Sequence, residues 1–443
     1  MAYIEGEARG QHTLFPPTLD DLIPADHVCR VIEAFVGKLV LGEMGFVRSE
    51  PADTGRPGYD PRDLLKLYLY GYLHQVRSSR RLEAECRRNV EVMWLLGRLT
   101  PDYKSIAEFR RMHREAVGRA GADLVRLARA VGLVRGEWVA IDGSKFRAVS
   151  SSSAVGEREA VKRYLDQLES ADEQDEVVID PTAVAAALEK LNNDPEPEAR
   201  FMRMAAEQYA PAYNVQTAVD AEHGIIVAQQ VTTEATDNRS LLPMAEAAKQ
   251  ALENPAILKV VADAGYSNGE QAERCEALGI LPHVPANRAV NNQGNGDLFD
   301  RALFVYDENA DTFRCPAGQT LKRKQVQRGK KRTVYAADVN VCGSCPLRPQ
   351  CTKGRQRRVN LHLHDAALTR MRQRATPEAM RLRRCTVERP FALLKYVIFG
   401  NPRFLLRGLA GAQVEMSLAT MAYNLKTMMR ALGGRNLAHA LAA

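Results

Sequence analysis

Asp142, Asp263 and Glu388 are the residues around which chemistry can be built. Asp142 ends the apolar run Trp138-Val139-Ala140-Ile141, and Asp263 ends Leu258-Lys259-Val260-Val261-Ala262, with small residues following each. Both runs read as short buried strands that deliver a carboxylate where a turn begins. Glu388 lies in Arg384-Cys385-Thr386-Val387-Glu388-Arg389-Pro390-Phe391, which reads as the first turn of a long helix. Separations of 121 and 125 residues along the chain do not keep two strand ends and a helix from converging in space. Mg²⁺, or Mn²⁺ in its place, takes oxygen ligands in near-octahedral geometry and keeps positions for water and phosphate oxygens. Three carboxylates can hold two such ions, one on the attacking oxygen and one on the leaving oxygen of a phosphodiester. Taken singly, each Asp also has a plain reading as a turn or cap residue. Asp220 follows an apolar strand in the same way and is the rival ligand.

The residues around Glu388 carry a resemblance. The chain resembles the DDE transposases of bacterial insertion sequences, which have a ribonuclease H-like catalytic domain. In that family the third acid sits in the pattern Tyr, two residues, Arg, three residues, Glu, six residues, Lys. Arg384, Glu388 and Lys395 fill the last three positions, and Arg381 stands where the family has Tyr. Positions 384, 388, 391 and 395 step by four, three and four, so an α-helix would set them on one face. The resemblance runs from Leu14-Phe15-Pro16-Pro17 to Met421-Ala422-Tyr423-Asn424-Leu425-Lys426. It implies an α/β fold: a ribonuclease H-like mixed sheet flanked by helices, with an N-terminal all-helical domain and two insertions. It also implies an enzyme that cleaves double-stranded DNA at the ends of its element and transfers the 3′ ends to target DNA. Asp142, Asp263 and Glu388 would hold Mg²⁺ or Mn²⁺, Arg384 and Lys395 would hold phosphates, and the protein would act as a homo-oligomer on DNA. A same-fold nuclease without strand transfer, and a DNA-binding derivative without catalysis, remain as alternatives.

Composition is compatible with this. A chain of 443 residues can bury a large core and hold two or more domains. No run of 18 apolar residues marks a membrane span, and the N-terminus lacks the layout of a signal peptide. The cytosol is therefore the expected compartment, with no membrane partner, and the resemblance implies a bacterial, nucleoid-associated protein. The formal charge of +7 is unevenly spread: from Lys322 to Arg384 eighteen Lys and Arg face Asp338, Asp365 and Glu378, a net of +15, which leaves −8 for the rest. Such a block suits a phosphate backbone, the plain alternative being a solvated surface.

The elements that must position these residues can be read in outline. Residues 1–130 are expected to form helices, with Asp26 capping the first, Asp60-Pro61 opening another, Ser78 or Ser79 a third, and Ile106 to Arg119 a fourth. Their arginines, among them Arg80, Arg81, Arg110 and Arg111, suggest a helix-turn-helix-like DNA-binding domain, or a plain bundle with a basic wet face. A catalytic domain over 134–430 follows, interrupted by an acidic helical insertion at 150–205 and a basic, cysteine-containing insertion at 268–380. Tyr213–Val219 and Gly224–Val231 read as a hairpin, and a helix from Ser240 to Glu253 leads to the Asp263 strand, with Asp237 and Asn238 as its caps.

Within the second insertion, Cys315, Cys342, Cys345 and Cys351 fall inside 37 residues. Two residues between Cys342 and Cys345 allow both thiolates to meet one ion, so structural Zn²⁺ is a candidate, with reduced thiols or an iron–sulfur cluster as alternatives. Cys29, Cys86, Cys275 and Cys385 read as buried or incidental thiols. His362, His364, Glu270 and Glu273 read as surface residues.

Overall fold

In the computed structural model, residues 18–49, 58–171, 181–204, 208–285, 298–330 and 332–442 are described. The Leu14–Pro17 opening and the acidic residues after Ala171 lie outside them. The described part is mixed α/β with a helical N-terminal region, as expected. No helix among the described residues is long and apolar enough to cross a membrane.

Six helices open the chain: α1 (Val28–Lys38), α2 (Pro61–Leu73), α3 (Ser79–Arg88), α4 (Val90–Leu95), α5 (Tyr103–Met112) and α6 (Arg114–Ala130). Asp60 caps α2, its carboxylate accepting from Arg62 N at 2.8 Å, and Pro61 fills the first helical position, where no N–H is needed. Asp26 does not cap α1. That place belongs to His27, whose Nδ1 accepts from Cys29 N at 3.3 Å, two residues into the orphan first turn. The expected helix from Ile106 to Arg119 is two helices. The backbone N–H of His113 and its ring Nδ1 both close on the Phe109 carbonyl, at 3.0 and 2.9 Å, and α6 restarts after that stop.

Strand β1 (Trp138–Arg147) is followed by α7 (Ser152–Ala171) and α8 (Pro181–Asn192). Then come β2 (Arg200–Arg203), β3 (Tyr209–Asp220), β4 (Ile226–Thr232), α9 (Leu241–Ala251), β5 (Leu258–Val261), α10 (Gly269–Ala277) and β6 (Ile280–His283). Strands β7 (Val305–Asp307), β8 (Thr312–Arg314), β9 (Thr320–Gln327) and β10 (Arg332–Ala336) precede α11 (Val339–Gly343), α12 (Arg348–Cys351) and β11 (Arg358–His362). Helices α13 (Asp365–Arg374), α14 (Pro377–Ala392), α15 (Leu409–Leu432) and α16 (Gly434–Ala442) complete the order, with a π-helical segment at Leu393–Ile398.

The chain divides into two compact units. One comprises residues 1–135, 143–235 and 388–443. Here β3 pairs antiparallel with β2 and with β4, and neighbours β1. The buried helix α15 lies against α2, α6 and β4. A strand edge buried under a helix needs partners for its backbone. Side chains of α15 supply them: Asn424 accepts from Ile226 N and donates to Ile226 O, both at 2.9 Å, and Gln413 accepts from Val231 N at 2.8 Å. Glu415, fully buried on the same helix, accepts from Leu405 N and Leu406 N at 2.7 and 2.6 Å, from Arg77 Nη1 at 3.2 Å and from the Tyr72 hydroxyl at 3.3 Å. A buried charge so fully bonded joins α15 to the N-terminal helices.

The other unit comprises residues 136–142 and 236–387. Its strands of the six-stranded sheet pair in parallel, β1 beside β5 and β5 beside β6. Its other sheet is antiparallel in the order β11-β10-β9-β8-β7, folded over Phe304, Phe313, Leu321, Tyr335 and Val359.

Candidate active site

Asp142 does not end its strand. β1 continues through Gly143 and Ser144 to Arg147, so Asp142 stands inside it. Parallel pairing with β5 sets Trp138 beside Lys259, Val139 beside Val260 and Ala140 beside Val261. That pairing ends at Val261; carried on by two residues, past Ala262, the same register would set Asp142 beside Asp263. Neighbouring strands lie about 4.8 Å apart, and side chains in register on parallel strands leave the same face. The two carboxylates are therefore adjacent because of one strand pairing.

A guanidinium joins them. Arg383 Nη2 lies 2.8 Å from Asp142 Oδ1 and 3.5 Å from Asp263 Oδ2. It is delivered by α14, whose Ala379 and Val387 pack on Ala140 and Val261. Positions 379, 383 and 387 are spaced by four and share the buried face of that helix. Asp142 is 21% exposed and Asp263 46%, so the pair remains open to solvent from one side. Asp263 also caps the turn after β5, accepting from Gly265 N at 2.8 Å. Tyr266 is fully buried at this place. Burial, and then the charges of Asp237, Asp142 and Asp263, hold its hydroxyl well above the ordinary tyrosine range.

Arg383 was not among the expected residues; its neighbour Arg384 was. The only sequence signal for Arg383 was the four-residue spacing from Ala379 and to Val387. Arg384 and Glu388 are both exposed on α14, four residues apart on one face. Glu388 belongs to the other compact unit.

Lys395 does not continue that face in α-helical steps. Pro390 lies inside α14, and proline there removes an N–H and crowds the carbonyl four residues back. The backbone then widens into the π segment, which turns less per residue. Lys395 is half-buried with its ammonium 5.8 Å from the centre of the Phe146 ring. Gln75 holds the widened turn, donating from Nε2 to Tyr396 O and Val397 O at 3.4 and 2.9 Å. Gly400, at φ +69°, leaves room for that carboxamide, since a Cβ there would stand 2.8 Å from Gln75 Oε1.

Among the N-terminal arginines, Arg80, Arg81 and Arg111 are exposed. Arg110 is not available to a ligand: it is 5% exposed, stacked 5.1 Å over Tyr68 and bonded to Arg77 O. Asp220 is a hairpin residue in the first unit. It is 1% exposed, and its carboxylate accepts from Glu222 N at 3.0 Å within the β3–β4 turn. The cap position of α9 falls to Ser240, not to Asp237 or Asn238. His364 pairs with Glu273 at 2.6 Å.

Cys315, Cys342, Cys345 and Cys351 line one pocket with Phe299, Leu321 and Arg357. No three of their sulfurs lie within 4.8 Å of one another, wider than ligands about 2.3 Å from one zinc would stand. Cys315 Sγ accepts from Gln319 N and Cys342 Sγ from Arg357 N, at 3.3 and 3.5 Å. Cys29, Cys86 and Cys275 are buried, while Cys385 is exposed. His27, Cys29 and Glu91 do bring ligand atoms within 4.8 Å. Their protons close that set: His27 Nδ1 accepts from Cys29 N, which leaves the proton on the Nε2 that faces Glu91. His27 serves as the cap of α1, and burial and Glu91 push the Cys29 thiol up to about 12.

Two family models match the chain. One, described as "Transposase domain (DUF772)", covers residues 17–112, and one described as "Transposase DDE domain" covers 171–425, more than half of the chain. The second span includes Asp263 and Glu388 and starts after Asp142. No curated protein matches significantly. Among solved structures, the piggyBac transposase synaptic complex with hairpin DNA is similar at 7% identity, over 94% of this chain and 79% of that one. Its TM-score is 0.36, too low to carry an argument.

Proposed function

The chain belongs to the DDE transposase family, with a ribonuclease H-like catalytic fold, and from that premise we propose that it cuts DNA at the ends of an insertion sequence and joins the freed 3′-hydroxyls to target DNA. The supporting observation is the in-register pair Asp142 and Asp263 closed on one guanidinium. An all-oxygen donor set that already gathers a cation fits Mg²⁺ or Mn²⁺. Divalent ions held by Asp142, Asp263 and Glu388 would activate the attacking oxygen and stabilise the leaving one. The protein's own part is positional. β1 and β5 hold the two carboxylates at strand spacing, and Arg383 balances their charge. Arg384 and Lys395 hold phosphates and offset charge that grows in the transition state. Exposed Lys322, Arg323 and Lys324 on β9 follow the DNA backbone, and Arg80, Arg81 and Arg111 meet the element ends. The active form is a homo-oligomer on DNA in the bacterial cytoplasm.

Two variants separate chemistry from binding. Glu388→Gln keeps the size and removes the charge, so cleavage collapses while affinity for end DNA is retained. Lys395→Ala is expected to weaken end binding and lower its salt dependence by about one phosphate contact. Near-normal cleavage by Glu388→Gln would discard Glu388 as the third acid. Incubation with a pre-cut end then tests joining: absence of joined product marks a nuclease of the same fold.

The cysteines carry a separate expectation. A structural Zn²⁺ on Cys315, Cys342, Cys345 and Cys351 requires the sulfurs to draw together around it, and purified protein would then contain one zinc per chain. Metal analysis that finds neither zinc nor iron removes that site.

A further inference from the structure

Helix α2 ends through a left-handed residue. The backbone N–H of Val76 closes on Gly71 O at 2.7 Å, and Gln75, just before it, has φ +60°. Glycine is the usual occupant of that place, because a side chain strains the left-handed backbone. The side chain of Gln75 reaches a turn that needs donors. Tyr396 and Val397 lie in the last turn of the π segment, where carbonyls run out of helical N–H groups. Pro402, five residues after Val397, has no N–H to give. Gln75 Nε2 donates to both carbonyls, and Gly400 leaves the space its carboxamide fills. Neighbours of Gln75 grip the same turn: Tyr72 meets the Phe399 ring edge-on at 6.2 Å, and Arg77 stacks 4.5 Å over it. Phe399 packs in turn on Phe146, with 5.2 Å between ring centres, and Phe146 is the ring that the Lys395 ammonium lies over. All of these residues belong to one compact unit.

We propose that Gln75 is a positioning residue for Lys395: its carboxamide holds the widened turn, and that turn sets where the ammonium stands. This rests on reading Lys395 as a phosphate-binding group. A π turn is rare within helices, so one that persists needs support from outside the helix. Relaxation to the tighter α-helical turn would swing Lys395 off the face of Phe146. An ammonium already held in place loses less freedom when it meets a phosphate. The end of α2 thereby acts on DNA through Lys395, apart from any contact of the N-terminal arginines.

The test measures affinity of the full-length protein for an end-bearing duplex over a range of salt, with thermal melting as the control for folding. Gln75→Gly removes the carboxamide and suits the left-handed backbone, so its melting temperature is expected to stay close to the parent's. End binding is expected to weaken about fivefold, from the loss of two hydrogen bonds, and to become less salt-dependent. Gln75→Glu keeps the length but cannot donate, and is expected to bind no better than the Gly variant. The double variant Gln75→Gly, Lys395→Ala is expected to bind as Lys395→Ala does, since nothing is left to position. A further fivefold loss in the double variant gives Gln75 a role of its own and overturns the proposal. So does parental affinity in Gln75→Gly where Lys395→Ala is weakened, and the inference then fails alone. If Lys395→Ala itself binds as the parent does, the reading of Lys395 fails, and the inference with it. Should Gln75→Gly melt early, a well-folded Gln75→Glu protein with parental affinity and salt dependence overturns the proposal.

Discussion

Asp142→Asn and Asp263→Asn are each expected to lower DNA cleavage by about a thousandfold or more, with folding and DNA affinity retained. The two carboxylates sit side by side through the β1–β5 register and share Arg383. An ion at such a site supplies several kcal/mol of transition-state charge stabilisation, and ~4 kcal/mol corresponds to about a thousandfold in rate. Asparagine keeps the shape and a carbonyl oxygen, but not the charge that draws in the ion. Folding is spared because Asp142 and Asp263 are partly solvent-exposed and Arg383 keeps one carboxylate in either variant. Cleavage of an end-bearing duplex in Mg²⁺ or Mn²⁺, beside gel-shift affinity and thermal melting, measures all three quantities. Cleavage within tenfold of the parent by either variant would remove that residue from the metal site.

Glu415→Ala is expected to destabilise the protein by about 3–5 kcal/mol, the usual result of breaking a buried ion pair from one side. The substitution strands Arg77, itself 8% exposed and stacked 4.5 Å over Phe399, without its carboxylate. It also leaves Leu405 N and Leu406 N without their acceptor. Typical domains are stable by roughly 5–15 kcal/mol, so the loss is a large part of the total. Denaturant unfolding followed by circular dichroism reads it as a lowered midpoint. Glu415→Gln, which keeps an acceptor for the two amides, should cost less. Equal stability of the Ala variant and the parent would show that the pair contributes nothing net.

The amino-acid sequence alone determined what depends on near neighbours. The apolar runs before Asp142 and Asp263 become strands because β-branched and small residues there suit burial on both faces. Asp60-Pro61 starts a helix because the cap and the missing N–H are local facts. The acids and the spacing around Glu388 were enough to identify the family. The tertiary structure decided which charged groups meet. Asp142 sits within β1 because neighbours keep Gly143 and Ser144 extended, and it faces Asp263 because of a pairing between segments 121 residues apart. Whether Arg383 or Arg384 turns inward depends on which face of α14 packs on Ala140 and Val261. Arg110 looks like a surface cation in sequence, yet it stacks on Tyr68 in the core. The course past Pro390 depends on Gln75, which bonds the widened turn from more than 300 residues away. Local patterns carry propensity and charge, whereas long-range packing chooses the partner, because its energy exists only once distant surfaces have met.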